Sequence, residues 1–511
     1  MHILILQHLF CNLNFIHYLC ENILSTMILD RTELKKEISE RMKYDNPWWV
    51  SGHIPDDIRQ MRSRLYLDMF YGIVNDMSVR RGVVLMGPRR VGKTILIYHA
   101  IQRLLDDGVS PQKIVYMSVD TPIYMGLSLE ELLKTAKETL HCSMDDEGFY
   151  VFYDEVQYLK DWELHLKSLV DTFRHTKFVV SGSAAAALKM KSSESGAGRF
   201  HDFSLPPLTF NEYIHLLGLG RLIVKRDMAW HGYKVDAFDT IDIAELNRLF
   251  INYINFGGYP EVVFSKEIQK DPGTFMRRDI VDKVMLKDLP GLYGISDTQE
   301  LYRLFIHIAY LSGSEFTIEG LSANSGIRKE LIKKYISYLE SAFLIKVIHR
   351  VDNNARRLQR ITRFKIYLTN PSIRCALFSP LTETDKALGN MVETAIYAQR
   401  IQRNDSIWYA NWKMGRENGE VDMVGLNAVT QKPAWAVELK WSDRYYDAPG
   451  ELKSLLTFME TNNLNDAIVT SKTKSGIVSL DSVSLMFIPS ALYAYLTGHN
   501  TVCKKNSLFA Q

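Results

Sequence analysis

Cysteine is scarce. The five cysteines, Cys11, Cys20, Cys142, Cys375 and Cys503, are scattered through 511 residues and form no CxxC pair. Such an odd, dispersed set argues against a disulfide scaffold or a metal-ligand cluster and fits a reducing cytoplasm. Excess charge of one sign is missing too. The net charge is +2, so attraction to a polyanion has to come from a local surface, not from the whole molecule. No internal repeat or low-complexity tract is present. Nor is any apolar run long enough to cross a bilayer, so no membrane partner is expected. The greasiest stretch, MHILILQHLFCNLNFIHYLC, is broken by His8, Asn12, Asn14 and His17, well short of the roughly 18–20 residues that a span needs. No Lys or Arg precedes it and no small-residue cleavage site follows, which makes it a poor signal peptide. Met27 opens an amphipathic helical pattern, ILDRTELKKEISERM. Residues 1–26 are therefore expected to be a start-site overcall or a loose extension. Peptides from them in the natural protein, found by mass spectrometry, would refute that.

The length allows two to four domains. From residue 82, short apolar runs alternate with helical ones. GVVLMG (82–87), KIVYMSVD (113–120), FYVFYDE (149–155) and KFVVSGS (177–183) read as buried strands. ILIYHAIQRLL (95–105) and SLEELLKTAKETL (128–140) read as helices, the second with Ser128 as N-cap and Glu131 at the capping-box position. Strands alternating with helices predict an α/β fold around a parallel sheet covered on both faces. After Pro206–Pro207 the strand rhythm stops, and residues 210–310 read as mostly helical. FTIEGLSANSGIRKELIKKYISYLESAFLIKVIHR (316–350) then gives helix, tight turn, helix and strand, the layout of a winged helix. A mixed α/β region follows to about residue 497. The expected division is 1–80 N-terminal extension and helices, 81–209 core, 210–300 helical lid, 301–358 winged helix, 359–497 C-terminal domain and 498–511 tail.

GPRRVGKT matches G-x4-G-K-T in full between a strand and a helix, which is the context a phosphate loop requires. Gly87, Pro88, Arg89, Arg90, Val91 and Gly92 would wrap phosphate oxygens with backbone N–H groups. Lys93 would supply a point charge near the β- and γ-phosphates, and Thr94 a hydroxyl for Mg2+. ATP and Mg2+ are the expected cofactors. Asp154 ends the third strand at the sheet edge where α/β proteins bind ligands. It would hold Mg2+ through water, while Glu155 would orient the attacking water. Ser181 or Ser183, at the end of the fourth strand, is placed to sense the γ-phosphate or is a plain turn serine.

Two later segments raise the question of nucleic acid. Arg328, Lys329, Lys333 and Lys334 lie on the second helix of the winged-helix pattern. Lys346, Arg350, Arg356, Arg357, Arg360, Arg363 and Lys365 follow, against one acid, Asp352. Such a surface suits phosphate-backbone contact, or is a solvated face on a scaffold module. Further on, EVDMVGLNAVTQKPAWAVELKW (420–441) reads as an antiparallel hairpin. Alternation puts Asp422, Glu438 and Lys440 on one side of it. Asp422 and Glu438 would hold a metal and Lys440 would position a water, as in phosphodiester cleavage. A site kept for binding alone, or a structural ion cluster, carries the same residues.

In combination these elements resemble a known family. GPRRVGKT, the Asp-Glu strand end, SGS (181–183), GRFHDFSLPPLTFNEY (198–213), FGGYPE (256–261), the winged-helix segment and EVD…ELK are similar to prokaryotic AAA-type P-loop ATPases with a restriction-endonuclease-like C-terminal domain of unknown function. The resemblance covers roughly residues 40–490. It implies a P-loop AAA-type core, a helical lid, a winged helix and a nuclease-like C-terminal domain. By the same resemblance Arg199 stands where an arginine follows the fourth strand, to contact phosphate within the chain or from a neighbouring subunit, unless it pairs with Asp202. Glu393 joins the C-terminal set as a fourth member. The expected function is Mg2+-dependent ATP binding and hydrolysis driving a conformational switch of the attached module. An ATP-gated metal-dependent DNA nuclease and a nucleotide-dependent signalling scaffold with little turnover are the alternatives. DNA, a protein partner and a second copy of the chain are the partners considered.

Overall fold

The computed structural model describes residues 33–503, apart from 145, 183–197, 231–232, 353–362, 402–406, 415–416 and 481–482. The extension at 1–26, Ser183, Arg356, Arg357 and Arg360 lie outside the described residues.

The first sheet contains β1 (Gly82–Met86), β2 (Ile114–Ser118), β3 (Tyr150–Asp154), β4 (Lys177–Gly182) and β5 (Phe200–Ser204) in the order β2-β3-β4-β1-β5. Every pairing is parallel. All residues of β1, β3 and β4 are buried, as expected for parallel strands packed on both faces. The helices α1 (Lys93–Asp106), α2 (Leu129–Thr139) and α3 (Trp162–Thr172) connect them. Ser128 and Glu131 form the predicted capping box on α2. Thr209 and Glu212 form another on α4 (Phe210–Leu216). Glu212 is fully buried because it also takes a two-pronged contact, 2.6 and 2.9 Å, from Arg64.

The region after Pro207 is less helical than its composition suggests. β6 (Ile223–Trp230) and β7 (Tyr233–Thr240) pair antiparallel before α5 (Ile243–Phe256) begins. Two residues, 231–232, separate these eight-residue spans in the sequence. Short helices and two π-helical turns, Arg277–Asp282 and Val284–Asp288, lead to α6 (Thr298–Tyr310).

Next come β8 (Glu315–Phe316), α7 (Ile318–Ser325), α8 (Lys329–Ser341), β9 (Ile345–Val351) and β10 (Phe364–Leu368). Gly326 ends α7 at φ 74°, a left-handed cap that turns the chain into α8. These strands join a larger sheet. With β11 (Ile407–Met414), β12 (Glu417–Leu426), β13 (Pro433–Glu438), β14 (Asp466–Ser471), β15 (Gly476–Leu480) and β16 (Val483–Pro489), they give the order β15-β16-β14-β13-β12-β11-β9-β10-β8. The expected boundary at 358/359 thus falls between two paired strands, β9 and β10. The helices α9 (Leu388–Ala398), α10 (Lys453–Asn462) and α11 (Ser490–Val502) accompany this sheet.

One continuous hydrophobic core links the two sheets. It runs from Val83, Leu85 and Val91 through Ile280, Val284 and Met285 to Leu304, Ile332, Ile345 and Ile366. Each fully buried aliphatic side chain in it contributes about 1.5–3 kcal/mol, so the phosphate loop and the second sheet are packed into one body. Among the described residues no helix is long and apolar enough to cross a membrane.

Candidate functional site

The parallel sheet delivers its chemistry to one edge. β1 ends at Met86 and the loop 87–92 follows, returning the chain to α1 at Lys93. Two of its residues are left-handed, Arg90 at φ 64° and Gly92 at φ 89°. Such alternation turns successive N–H groups inward and makes a concavity for anions. Gly87 is required for packing, because a Cβ there would lie 2.3 Å from the Leu205 carbonyl oxygen. Arg64 braces the loop from behind by donating to the Val91 carbonyl at 2.6 Å.

Lys93 is buried and donates to the carbonyls of Gly87 (3.2 Å) and Pro88 (3.0 Å). Burial holds its ammonium below the usual lysine range, opposed by the carboxylates of Glu155 and Asp154. Thr94 donates its hydroxyl to Asp154 at 2.6 Å. Asp154 is almost fully buried and also accepts from Tyr116 at 3.1 Å and from Ser181. Thr94 and Asp154 thus present a hydroxyl and a carboxylate side by side, the donor pair a phosphate-bound Mg2+ uses. Glu155 adopts a left-handed backbone (φ 56°) directly after the strand. Burial raises its carboxyl above the usual range, with Lys93 opposing.

Ser181 touches the site through Asp154, and Ser183 lies outside the described residues. Arg199 is elsewhere. Gly82 at the start of β1 pairs with Phe200, so Arg199 lies at the opposite end of the strands from the loop. It pairs with Asp171 at 2.7 Å rather than Asp202. Sequence reading missed Arg64, Tyr116 and Asp288, which come from distant segments and belong to no motif.

The C-terminal residues also converge. Lys440 contacts Glu438 at 2.7 Å and Asp422 at 3.7 Å. Asp422 accepts from the backbone of Leu439 at 2.8 Å. Asp422 and Glu438 are each only 7% exposed, so the hairpin's polar face is not wet. Lys365 is the surprise of the cluster. Its ammonium lies 3.1 Å from Glu393, 2.7 Å from Glu420 and 3.8 Å from Asp422. It is buried, so it does not belong to the basic surface expected around the winged-helix pattern. Tyr367 adds a 2.5 Å hydrogen bond to Glu393. Two lysines thus stand against four carboxylates, so the cluster carries more acid than base. Among the described residues no group of three or more His, Cys, Asp or Glu is placed to hold a metal ion. Lys440 lies against both Asp422 and Glu438, the pair expected to hold a metal.

Glu438 shows the cost of that burial. Desolvation first, then the neighbouring Asp422, push its carboxyl up to about 8, and one carboxylate oxygen has no hydrogen-bond partner. A carboxyl raised in the folded state stabilises the fold below its unfolded pKa, 4.5, and that contribution is lost as pH rises towards 8. Stability is therefore expected to fall between those pH values. Denaturant titrations should show a shallower slope in Glu438→Gln.

Four residues of the basic face are paired. Lys329 pairs with Glu319, Lys333 with Glu330, Lys346 with Glu340 and Arg363 with Glu315.

Comparison with known proteins agrees with the first site. Residues 79–214 match a family described as an AAA domain, and residues 247–385 one described as a domain of unknown function (DUF8612). An uncharacterized protein of Haemophilus influenzae is 22% identical over 352 residues, 68% of this chain and 79% of that protein. An uncharacterized protein of Methanocaldococcus jannaschii is 23% identical over 394 residues, 76% and 81% of the two. Among solved structures, a Walker-type ATPase of Pyrococcus abyssi is similar at 14% identity and a TM-score of 0.37, covering 61% of this chain and 94% of that one. With its parallel sheet and matched loop, the segment 79–214 is a P-loop domain of the AAA type.

Proposed function

We propose that the protein binds ATP with Mg2+ at the loop 87–94 and hydrolyses it, and that the cycle switches the region from 260 to the C-terminal sheet. The observation that carries this is the joint placement of Lys93, Thr94, Asp154 and Glu155 at one sheet edge. Lys93 gives up its two loop carbonyls to meet phosphate oxygens. Thr94 and Asp154 would hold Mg2+, which neutralises charge on the phosphates when bound. Glu155, half-buried at the end of the same sheet edge, orients a water against the terminal phosphate. Ser181 and Tyr116 fix the Asp154 carboxylate. The shared core around Val284 and Leu304 supports transmission of any shift to β9 and β10. The test is phosphate release from ATP by the full chain with Mg2+ present and then chelated. Release that continues without Mg2+ would sink this reading.

The convergence of Glu393, Asp422, Glu438 and Lys440 favours a second reading, an ATP-gated nuclease whose closed state is the lysine-filled cluster described above. DNA is its proposed partner, through α8 and the C-terminal sheet. Plasmid cleavage in Mg2+ or Mn2+, with and without ATP, decides it. Cutting lost in Asp422→Ala supports this reading, and no cutting in any nucleotide state leaves a structural ion cluster.

A further inference from the structure

The loop's two arginines face away from a simple anchoring role. Arg89 makes a two-pronged pair with Asp288, 2.7 and 2.8 Å, with both side chains mostly buried. Arg90 divides its guanidinium between Glu261 and Asp279, each at 2.9 Å. All three carboxylates come from one stretch, 261–288, which contains the two π-helical turns. Non-glycine residues resist a left-handed backbone, so Arg90 keeps its φ of 64° at a cost that these contacts offset. π-Helical geometry is uncommon and concentrates at functional sites.

Arg89 belongs to the loop itself, four residues before Lys93, at the sheet edge where β3 ends beside Glu155. A guanidinium fork fits carboxylate and phosphate alike. A nucleotide's terminal phosphate arriving beside Lys93 and Glu155 is therefore a direct competitor for the group that Asp288 holds.

The geometry points to Arg89 as a γ-phosphate ligand held in reserve by Asp288, so that ATP binding trades one partner for the other and frees the π-helical stretch. This rests on the ATP-binding reading above and adds to it the element that reports occupancy. ADP, without the terminal phosphate, leaves the Arg89–Asp288 pair in place. The freed Asp288 ends the second π-turn, whose Val284 and Met285 lie in the core shared with Ile345 of β9 and Ile366 of β10. Nucleotide state thereby biases the larger sheet through packing that already exists.

Titrations of the full chain with fluorescent ATP and ADP analogues test this. Asp288→Asn is expected to tighten ATP about tenfold, within the range of ordinary coupling energies, and to leave ADP nearly unchanged. Arg89→Lys keeps the charge and loses the fork, so it should weaken ATP several-fold, on the order of a single charge-assisted contact. In the double variant the gain from Asp288→Asn should disappear. Wild-type ATP affinity in Asp288→Asn, or the same gain with and without Arg89, overturns the proposal while leaving ATP binding by the loop intact. Absence of ATP binding by the wild type overturns both. Should Asp288→Asn fail to fold, Arg89→Lys decides alone, and ATP affinity equal to wild type refutes the role.

Discussion

Replacing Lys365 with methionine is expected to destabilise the protein by about 3–5 kcal/mol, the usual consequence of removing one partner from a buried ion pair. Lys365 faces Glu393, Glu420 and Asp422, and only Glu420 is substantially exposed among them. Burial alone would depress its ammonium, but the charges of Glu393, Asp422 and Glu420 reverse that and raise it. Methionine matches the length of the stem and removes the charge. Glu393 and Asp422 are then left buried with like charge and no cation between them. The cost should shrink in acid, where the carboxyls take up protons. Urea titrations at neutral and mildly acidic pH measure both effects. A midpoint equal to wild type at neutral pH would show that Lys365 does not hold the cluster together.

Lys93→Ala is expected to lower ATP turnover by at least about 10²–10³-fold, the scale for removing one group that meets developing charge. Stability should change little. The wild-type ammonium is buried at some desolvation cost and is satisfied only by two loop carbonyls, so its removal loses little that holds the fold. Intact melting with lost turnover separates a chemical role from a structural one. Loss of both together would mean that Lys93 serves chiefly to shape the loop.

What the sequence made legible was local. GPRRVGKT, the Asp154–Glu155 strand end and the Ser128 capping box each lie within a few residues of one another, where backbone geometry alone fixes their relation. The hairpin carrying Asp422, Glu438 and Lys440 was legible for the same reason, through strict alternation. Its environment was not. Lys365 lies in a run rich in arginine and reads as surface charge, and only the pairing of β10 with β9 carries it into the acidic cluster. Asp288 is nearly two hundred residues from Arg89, in a stretch without a motif, so nothing local announces the pair. The β6–β7 hairpin was hidden by helical composition on both sides. Arg199 is the reverse case for a contact within its own chain. Its position in the chain suggested the site, but the parallel register of β5 with β1 puts it at the far edge of the sheet.

Phosphate release from ATP by the purified full chain in Mg2+, beside Lys93→Ala, tests the central claim most directly. Turnover in the wild type that is lost in the variant is the predicted result. Equal release from the two proteins would contradict an ATPase site built on Lys93, Thr94, Asp154 and Glu155.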